Sequence, residues 1–211
     1  LLHVMRYLGR LVMFFNSDTA YELDLAGVSA VGDYAFSRTT RLQTLRVAES
    51  VASIGRQPFE YSAVKEIVFA ESREEELELA NYAFAYMTSL ESVTVPSYVT
   101  ALPQYLFRGC TALSSVTLEE GVQTINNYAF RDCDALASLV LPKSLTKVTS
   151  SAFGSSGISA YYYSGTAEEL AATSFPTAVK NNAYCYCEED PISDGNFWRY
   201  ESGEIAIWPM V

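Results

Sequence analysis

A single histidine, His3, is all that 211 residues provide. A Ser–His or Cys–His catalytic pair would have to use it, from the frayed start of the chain. The sequence also lacks a glycine-rich phosphate loop, an HExxH helix and paired CxxC motifs. Zinc would need four good ligands, and the chain cannot supply a conventional set, so neither a metal nor any other cofactor is expected. Four cysteines are too few for a disulfide framework. Positive charge is scarce, with 14 Lys and Arg against 25 Asp and Glu, a net charge of −11. That balance argues against nucleic acid, whose phosphates need a basic face, and against anionic membranes. Long apolar runs are absent as well. The segment Leu1–Phe15 is interrupted by Arg6 and Arg10 and falls short of the roughly 20 residues of a membrane span. Neither membrane insertion within this chain nor a visible signal segment is expected.

What the chain has is a period. Phe36, Phe59, Phe84, Phe107, Phe130 and Phe153 are separated by 23, 25, 23, 23 and 23 residues. A fixed interval of this length means that one small unit is stacked on copies of itself. Apolar residues make up 49% of the chain and charged residues 18%, so such a stack has the material for a continuous core.

Aligned on the phenylalanines, one coil reads Leu90-x-x-Val93-x-Val95-Pro96-x-x-Val99-x-x-Leu102, then Leu106-Phe107-x-x-Cys110. The next has Leu113, Val116, Leu118, Val122, Ile125, Ala129, Phe130 and Cys133 at the same places, and the one after has Leu136, Leu139, Leu141, Leu145, Val148, Ala152 and Phe153. The segment Ser92-Val93-Thr94-Val95 alternates polar and β-branched apolar residues, the pattern of a half-buried strand. Pro96 and Pro142 end their strands, because proline cannot donate to a ladder. The Ala-Phe segment predicts a single helical or 3₁₀ turn at the corner. One coil cannot bury its apolar side alone; stacked at strand spacing, about 4.8 Å, the coils share one core.

This pattern resembles the BspA-type leucine-rich repeat family, over about Leu23 to Phe153 and in six register-keeping copies. The tail, with Tyr161-Tyr162-Tyr163-Ser164-Gly165 and Asn196-Phe197-Trp198-Arg199-Tyr200, is similar to stretches that follow such repeats in proteins of gut Firmicutes. The resemblance implies a mainly β repeat solenoid: a right-handed stack of about six 23-residue coils with a parallel strand ladder and a C-terminal cap. It implies a bacterial protein that is extracellular or at the cell surface, non-catalytic, and adhesin-like, binding protein or glycan on a host or microbial surface. The alternatives are a passive structural spacer or wall-associated module, and a carbohydrate-binding or carbohydrate-active solenoid. The chain departs from ordinary leucine-rich repeats at the corner after the strand, where Ser50, Tyr98, Gly121 and Ser144 replace the usual Asn or Cys.

Three segments follow: an N-terminal degenerate coil or cap over 1–22, repeats over 23–156, and a degenerate last coil with a C-terminal cap over 157–211. In the tail, Ile158, Tyr161 and Tyr163 fall where Leu136, Leu139 and Leu141 fall one coil earlier. Thr166 and Glu169 have capping-box spacing, so a short helix begins at Ala167 and stops at Pro176.

Once repeated apolar residues are assigned to the scaffold, few candidates for function remain. The outward strand positions are Thr44, Arg46, Glu66, Ser92, Thr94, Ser115, Thr117 and Tyr162, with Val68, Ser138, Val140 and Ala160 between them. Tyr98 and Tyr162 are candidate exposed anchors. The two extra residues of the Phe84 coil fall in Glu71–Glu76, an acidic surface loop with Glu74, Glu75 and Glu76. Cys110 and Cys133 occupy one repeat position and read as small buried hydrophobes. Cys185 and Cys187 read as a buried strand face, or as an interchain or soft-metal pair. Glu119-Glu120 and Glu188-Glu189-Asp190 are adjacent acids that point apart on an extended chain, unlike the facing carboxylates of a glycosidase. Trp198 and Trp208 read as cap core.

Overall fold

The computed structural model describes residues 4–7, 10–14, 22–74, 76–188 and 195–208. His3, Glu75, Glu189 and Asp190 lie outside the described residues. An antiparallel hairpin of β1 (Val4–Tyr7) and β2 (Arg10–Phe14) opens the chain. Six coils follow, each with one longer and one short strand. They are β3 (Glu22–Asp24) with β4 (Ala30–Val31), β5 (Thr44–Val47) with β6 (Ser53–Ile54), and β7 (Glu66–Phe69) with β8 (Glu78–Leu79). Then come β9 (Ser92–Val95) with β10 (Ala101–Leu102), β11 (Ser115–Leu118) with β12 (Thr124–Ile125), and β13 (Ser138–Leu141) with β14 (Lys147–Val148). A seventh turn opens with β15 (Ala160–Tyr163) and runs into α1 (Ala167–Ala172) and α2 (Thr177–Asn181). The chain closes on β16 (Ala183–Tyr186), β17 (Phe197–Glu201) and β18 (Glu204–Ile207). The architecture is therefore a mainly β solenoid with parallel ladders.

The longer strands stack in register. Leu23, Leu45 and Ile67 are paired in sequence, as are Val93 with Val116 and Leu139 with Tyr161. In every case the apolar residue points inward and is buried. The prolines set where the ladders stop. In a regular coil the residue after the strand donates its N–H to the coil before, as Ala70 does to Val47 O and Glu119 to Val95 O. Pro96 and Pro142 hold that position and have no N–H. Accordingly β7 and β9 pair over two residues only, and β11 and β13 lie side by side in separate sheets. The short-strand ladder behaves the same way. Ala80 donates to Ile54 O and Asn126 to Leu102 O, but Pro103 sits at the equivalent place after β10. The ladder divides there into β1-β2-β4-β6-β8 and β10-β12-β14, leaving a shallow cleft of about 490 Å³ lined by Leu77, Leu79, Ala101 and Pro103.

Phenylalanine rings fill the centre. Phe36 and Phe59 stack at 5.2 Å between centroids and 8°, and Phe107 and Phe130 at 5.5 Å and 21°. The widest gap, 6.4 Å, separates Phe59 from Phe84, across the 25-residue interval. There Phe69 meets Phe84 edge-on at 6.0 Å. The stack ends at Phe153, which is half-buried and tilts onto Tyr161 at 5.2 Å.

The corner that carries each phenylalanine is not the helical or 3₁₀ turn that the Ala-Phe pattern suggests. It is a run of turns with left-handed residues two before and two after the ring. Tyr34, Gln57, Tyr82, Tyr105 and Tyr128 hold the first position with φ between 49° and 66°. Arg38, Tyr61, Tyr86, Gly109, Asp132 and Ser155 hold the second. Each non-glycine residue in this region costs about 1–2 kcal/mol. The offset is a third ladder: Tyr34, Phe36 and Arg38 donate to Arg56 O, Pro58 O and Glu60 O of the next coil, and Tyr82, Phe84 and Tyr86 donate to Gln104 O, Leu106 O and Arg108 O. A helical turn would direct these N–H groups within its own coil.

At the C-terminal end Thr166 and Glu169 form the reciprocal capping box of α1. The helix stops at Thr173, ahead of Pro176, which instead precedes a second helix, α2. Lys143 reaches Glu169 at 2.7 Å and ties α1 to the coil below.

Phe107→Ala should lower the unfolding free energy by about 3–5 kcal/mol, the cost of a buried aromatic truncation. Urea unfolding followed by circular dichroism measures it; an unchanged midpoint would contradict the packed stack.

Candidate interaction surfaces

The outward strand positions form two rows. One runs Glu22, Thr44, Glu66, Ser92, Ser115; the other runs Asp24, Arg46, Val68 and, from the next strand on, Thr94 beside Thr117. Arg46, Glu66, Thr94, Ser115 and Thr117 are exposed, while Thr44 and Ser92 are partly covered. Arg46 ion-pairs with Glu22 on the neighbouring strand, and this partner raises its pKa. The face is thus built from short hydroxyl side chains in its middle and charged at its N-terminal end.

Its other end is aromatic. Tyr162 on β15 pairs with Tyr184 on β16, and Tyr186 pairs with Trp198 on β17, so all four take alternate positions from the buried Tyr161, Tyr163 and Cys185. Tyr162, Tyr186 and Tyr200 approach Trp198 at 5.6, 5.3 and 5.0 Å. Trp198 is wholly buried and donates its indole N–H to Tyr163 O at 3.0 Å. Trp208 is half-buried, with Arg199 over its ring. Tyr200, Ile205 and Ile207 stay exposed beside this cluster. Tyr162, expected to be exposed, is instead half-buried against Tyr184 and Trp198. The sequence pattern does not place its partners in this cluster, because the strand register past Gly165 has no repeat to index it.

Tyr98 is not an exposed anchor. It is half-buried, donates its hydroxyl to Ala70 O at 2.9 Å and carries Arg73 over its ring. Arg73 also donates to Glu49 O and Val51 O. Together they fasten the inserted loop to the coils on either side. Glu74 and Glu76 are exposed in that loop, and the described residues contain no group of three or more His, Cys, Asp or Glu able to hold a metal ion.

At the corner after the strand, hydroxyls replace the usual asparagine. Ser50 Oγ accepts from Gly27 N–H, and Ser144 Oγ accepts from Gly121 N–H while donating to Val122 O.

A second feature that sequence reasoning missed lies on the phenylalanine corners. Tyr82 stacks on Tyr105 at 4.3 Å and 6°, and Tyr105 on Tyr128 at 5.0 Å. Tyr61 stacks on Tyr86 at 5.8 Å. Arginines lie over these rings: Arg38 on Tyr61, Arg56 on Tyr82, Arg108 between Tyr86 and Tyr105, and Arg131 on Tyr128. Gly109 is required here: its φ is +72°, and a Cβ would meet the Tyr86 ring at 2.7 Å. The available signal was a tyrosine two residues before the phenylalanine in four coils.

The BspA type leucine rich repeat region matches this chain in six copies, over residues 12–78 and 73–189. The chain belongs to the BspA-type leucine-rich repeat family. Repeats of this type build a family of bacterial surface proteins. A leucine-rich repeat protein from Eubacterium ventriosum is 32% identical over 64% of this chain and 36% of its own, with a TM-score of 0.57. The pneumococcal vaccine antigen PcpA shares the fold at 19% identity, covering 77% of this chain and 47% of its own, with a TM-score of 0.58. A leucine-rich cell surface protein from Faecalibacterium prausnitzii does so at 23% identity, covering 83% and 41%, with a TM-score of 0.53. This BspA-type chain thus spans less than half the length of each of these structures. No match is found among curated proteins. Among the described residues, no helix is long and apolar enough to cross a membrane.

The cysteines of this BspA-type stack are packing residues. Cys110 and Cys133 are fully buried, and their thiols donate to Phe84 O and Phe107 O at 3.2 Å. Burial pushes Cys133 up to about 12, raises Cys110 well above the usual thiol range, and pushes Cys185 up to about 11. Each protonated thiol therefore favours the folded state. That contribution is intact below the ordinary thiol pKa and is lost as pH rises from about 9 toward 12. Iodoacetamide at pH 8 should label Cys187 alone in the native protein and all four thiols after denaturation. Native labelling of Cys110 or Cys133, read by mass spectrometry, would contradict the burial assigned to them.

Proposed function

We propose that this chain is a non-catalytic, protein-binding module of a bacterial surface or secreted protein, with an adhesin-like role. The outward strand face is its contact surface. One observation carries the reading: a row of short hydroxyl side chains on β9 and β11 is followed, beyond β13, by the aromatic cluster of Tyr162, Tyr184, Tyr186 and Tyr200. Short side chains lose little conformational entropy on contact, and tyrosine supplies large, rigid, amphipathic area. Interfaces draw most of their energy from such anchors, ringed by near-neutral contacts that exclude water. The partner in this reading is a protein displayed on a host or microbial surface. Membership in a family of surface proteins, and the likeness to a cell surface protein and a vaccine antigen, support that setting.

The test is adhesion of beads coated with the chain to a surface coated with host matrix proteins. Thr94→Arg with Thr117→Arg should cut adhesion about tenfold or more and leave the melting temperature unchanged, because both side chains are exposed. Unchanged adhesion by this stable variant would remove the strand face from the proposal and favour a passive spacer.

A further inference from the structure

The phenylalanine corners carry four guanidiniums in a chain whose net charge is −11. These arginines rest on ring faces and find few carboxylates. Asp33 is occupied in accepting Arg56 N–H at 2.8 Å, and Glu60 accepts from Ser37 Oγ and Gln57 Nε2. Among the described residues no carboxylate comes within ion-pair range of Arg38 or Arg56. Arg108 and Arg131 share one, Asp132, at 3.6 and 3.4 Å. The Nε atoms of both arginines are buried without a hydrogen-bond partner, which leaves their outer nitrogens as the accessible donors. Each guanidinium lies over a tyrosine ring, 4.3 to 5.7 Å from its centroid, and this contact restrains it, so less is lost in ordering it.

We propose that the corner ladder formed by Arg56, Arg108, Arg131 and the stacked Tyr82, Tyr105 and Tyr128 binds a linear acidic polysaccharide, whose sugar rings bear carboxylates or sulfates. Guanidiniums engage such groups through paired N–H donors. The chemistry of the ladder favours a glycan over an acidic peptide. Half-buried tyrosines stacked at 4.3 and 5.0 Å lie beside the guanidiniums. A sugar unit that carries an acid group and hydroxyls can use both the guanidiniums and the tyrosine hydroxyls, where a row of acidic side chains uses the guanidiniums alone. The acidic side chains of the strand face and the inserted loop lie on other sides of the coil. At physiological salt, where charges are screened beyond about 8 Å, they repel an anion on the corners only weakly. This surface is separate from the strand face, and either assignment can fail without the other.

The experiment is calorimetric titration of the whole chain with a heparin-derived octasaccharide. Dextran serves as the neutral glycan, and poly-glutamate and a short DNA duplex as anions of other classes. Binding of the octasaccharide should weaken about tenfold or more in Arg108→Gln/Arg131→Gln, and likewise in Arg38→Gln/Arg56→Gln, whose side chains are exposed and leave folding intact. The charge-matched Lys65→Gln/Lys147→Gln should bind as the parent does. Absence of octasaccharide binding at low salt, equal loss in all three double variants, or equal affinity for poly-glutamate or DNA would each overturn the proposal.

Discussion

One buried ring per coil is the constraint on which this molecule depends. Phe59, Phe84, Phe107 and Phe130 each stack on the ring of the coil before and the coil after, so their burial exists only within the array. The consequence is a fixed coil length. A coil that gains or loses residues must do so where the ring position is not disturbed, and the two extra residues before Phe84 are expelled into the Arg73-fastened loop. Even there the ring spacing widens, and Phe69 turns edge-on into the gap. The left-handed residues on each side of the ring follow from the same constraint. They direct backbone N–H groups along the stack, toward the next coil's carbonyls, at a torsional cost met by inter-coil hydrogen bonds.

Periodicity acts on the surface as well. Whatever a coil presents outward is copied at every turn, and this BspA-type solenoid therefore has faces with distinct characters. The long-strand face is hydroxyl-rich in its middle, and it becomes aromatic only past the last regular coil. The corner face is tyrosine and arginine throughout its middle. Prolines interrupt the ladders at fixed places, and each interruption is local, because the core beneath continues through Leu102, Val116 and Leu139.

The inward residues were legible because burial recurs with the period. Leu45, Ile67, Val93 and Val116 are recognisable from spacing alone, as are the pairing of Leu139 with Tyr161 and the capping box at Thr166. The corner was not, because Ala-Phe beside a tyrosine satisfies a helical pattern equally well, and tyrosine rarely takes positive φ without tertiary hydrogen bonds to hold it. Tyr98 departs from its pattern for a related reason: its position is a corner elsewhere in the stack, yet here an inserted loop folds over it. The aromatic cluster around Trp198 depends on strand register beyond the repeats, which no period encodes. The outward strand residues were legible as positions, while what they contact is a property of a partner.

The most direct test of the ring-per-coil account is removal of one whole repeat. Deleting 115–137 joins Ser114 to Ser138 and takes out one ring, one long strand and one corner. The account predicts a folded protein with the same circular dichroism shape, a single cooperative melt and a shorter scattering envelope. Deleting 115–134 instead, three residues out of step, should give an unfolded or aggregated chain. If both deletions behave alike, the ring interval does not set the coil and the account is wrong.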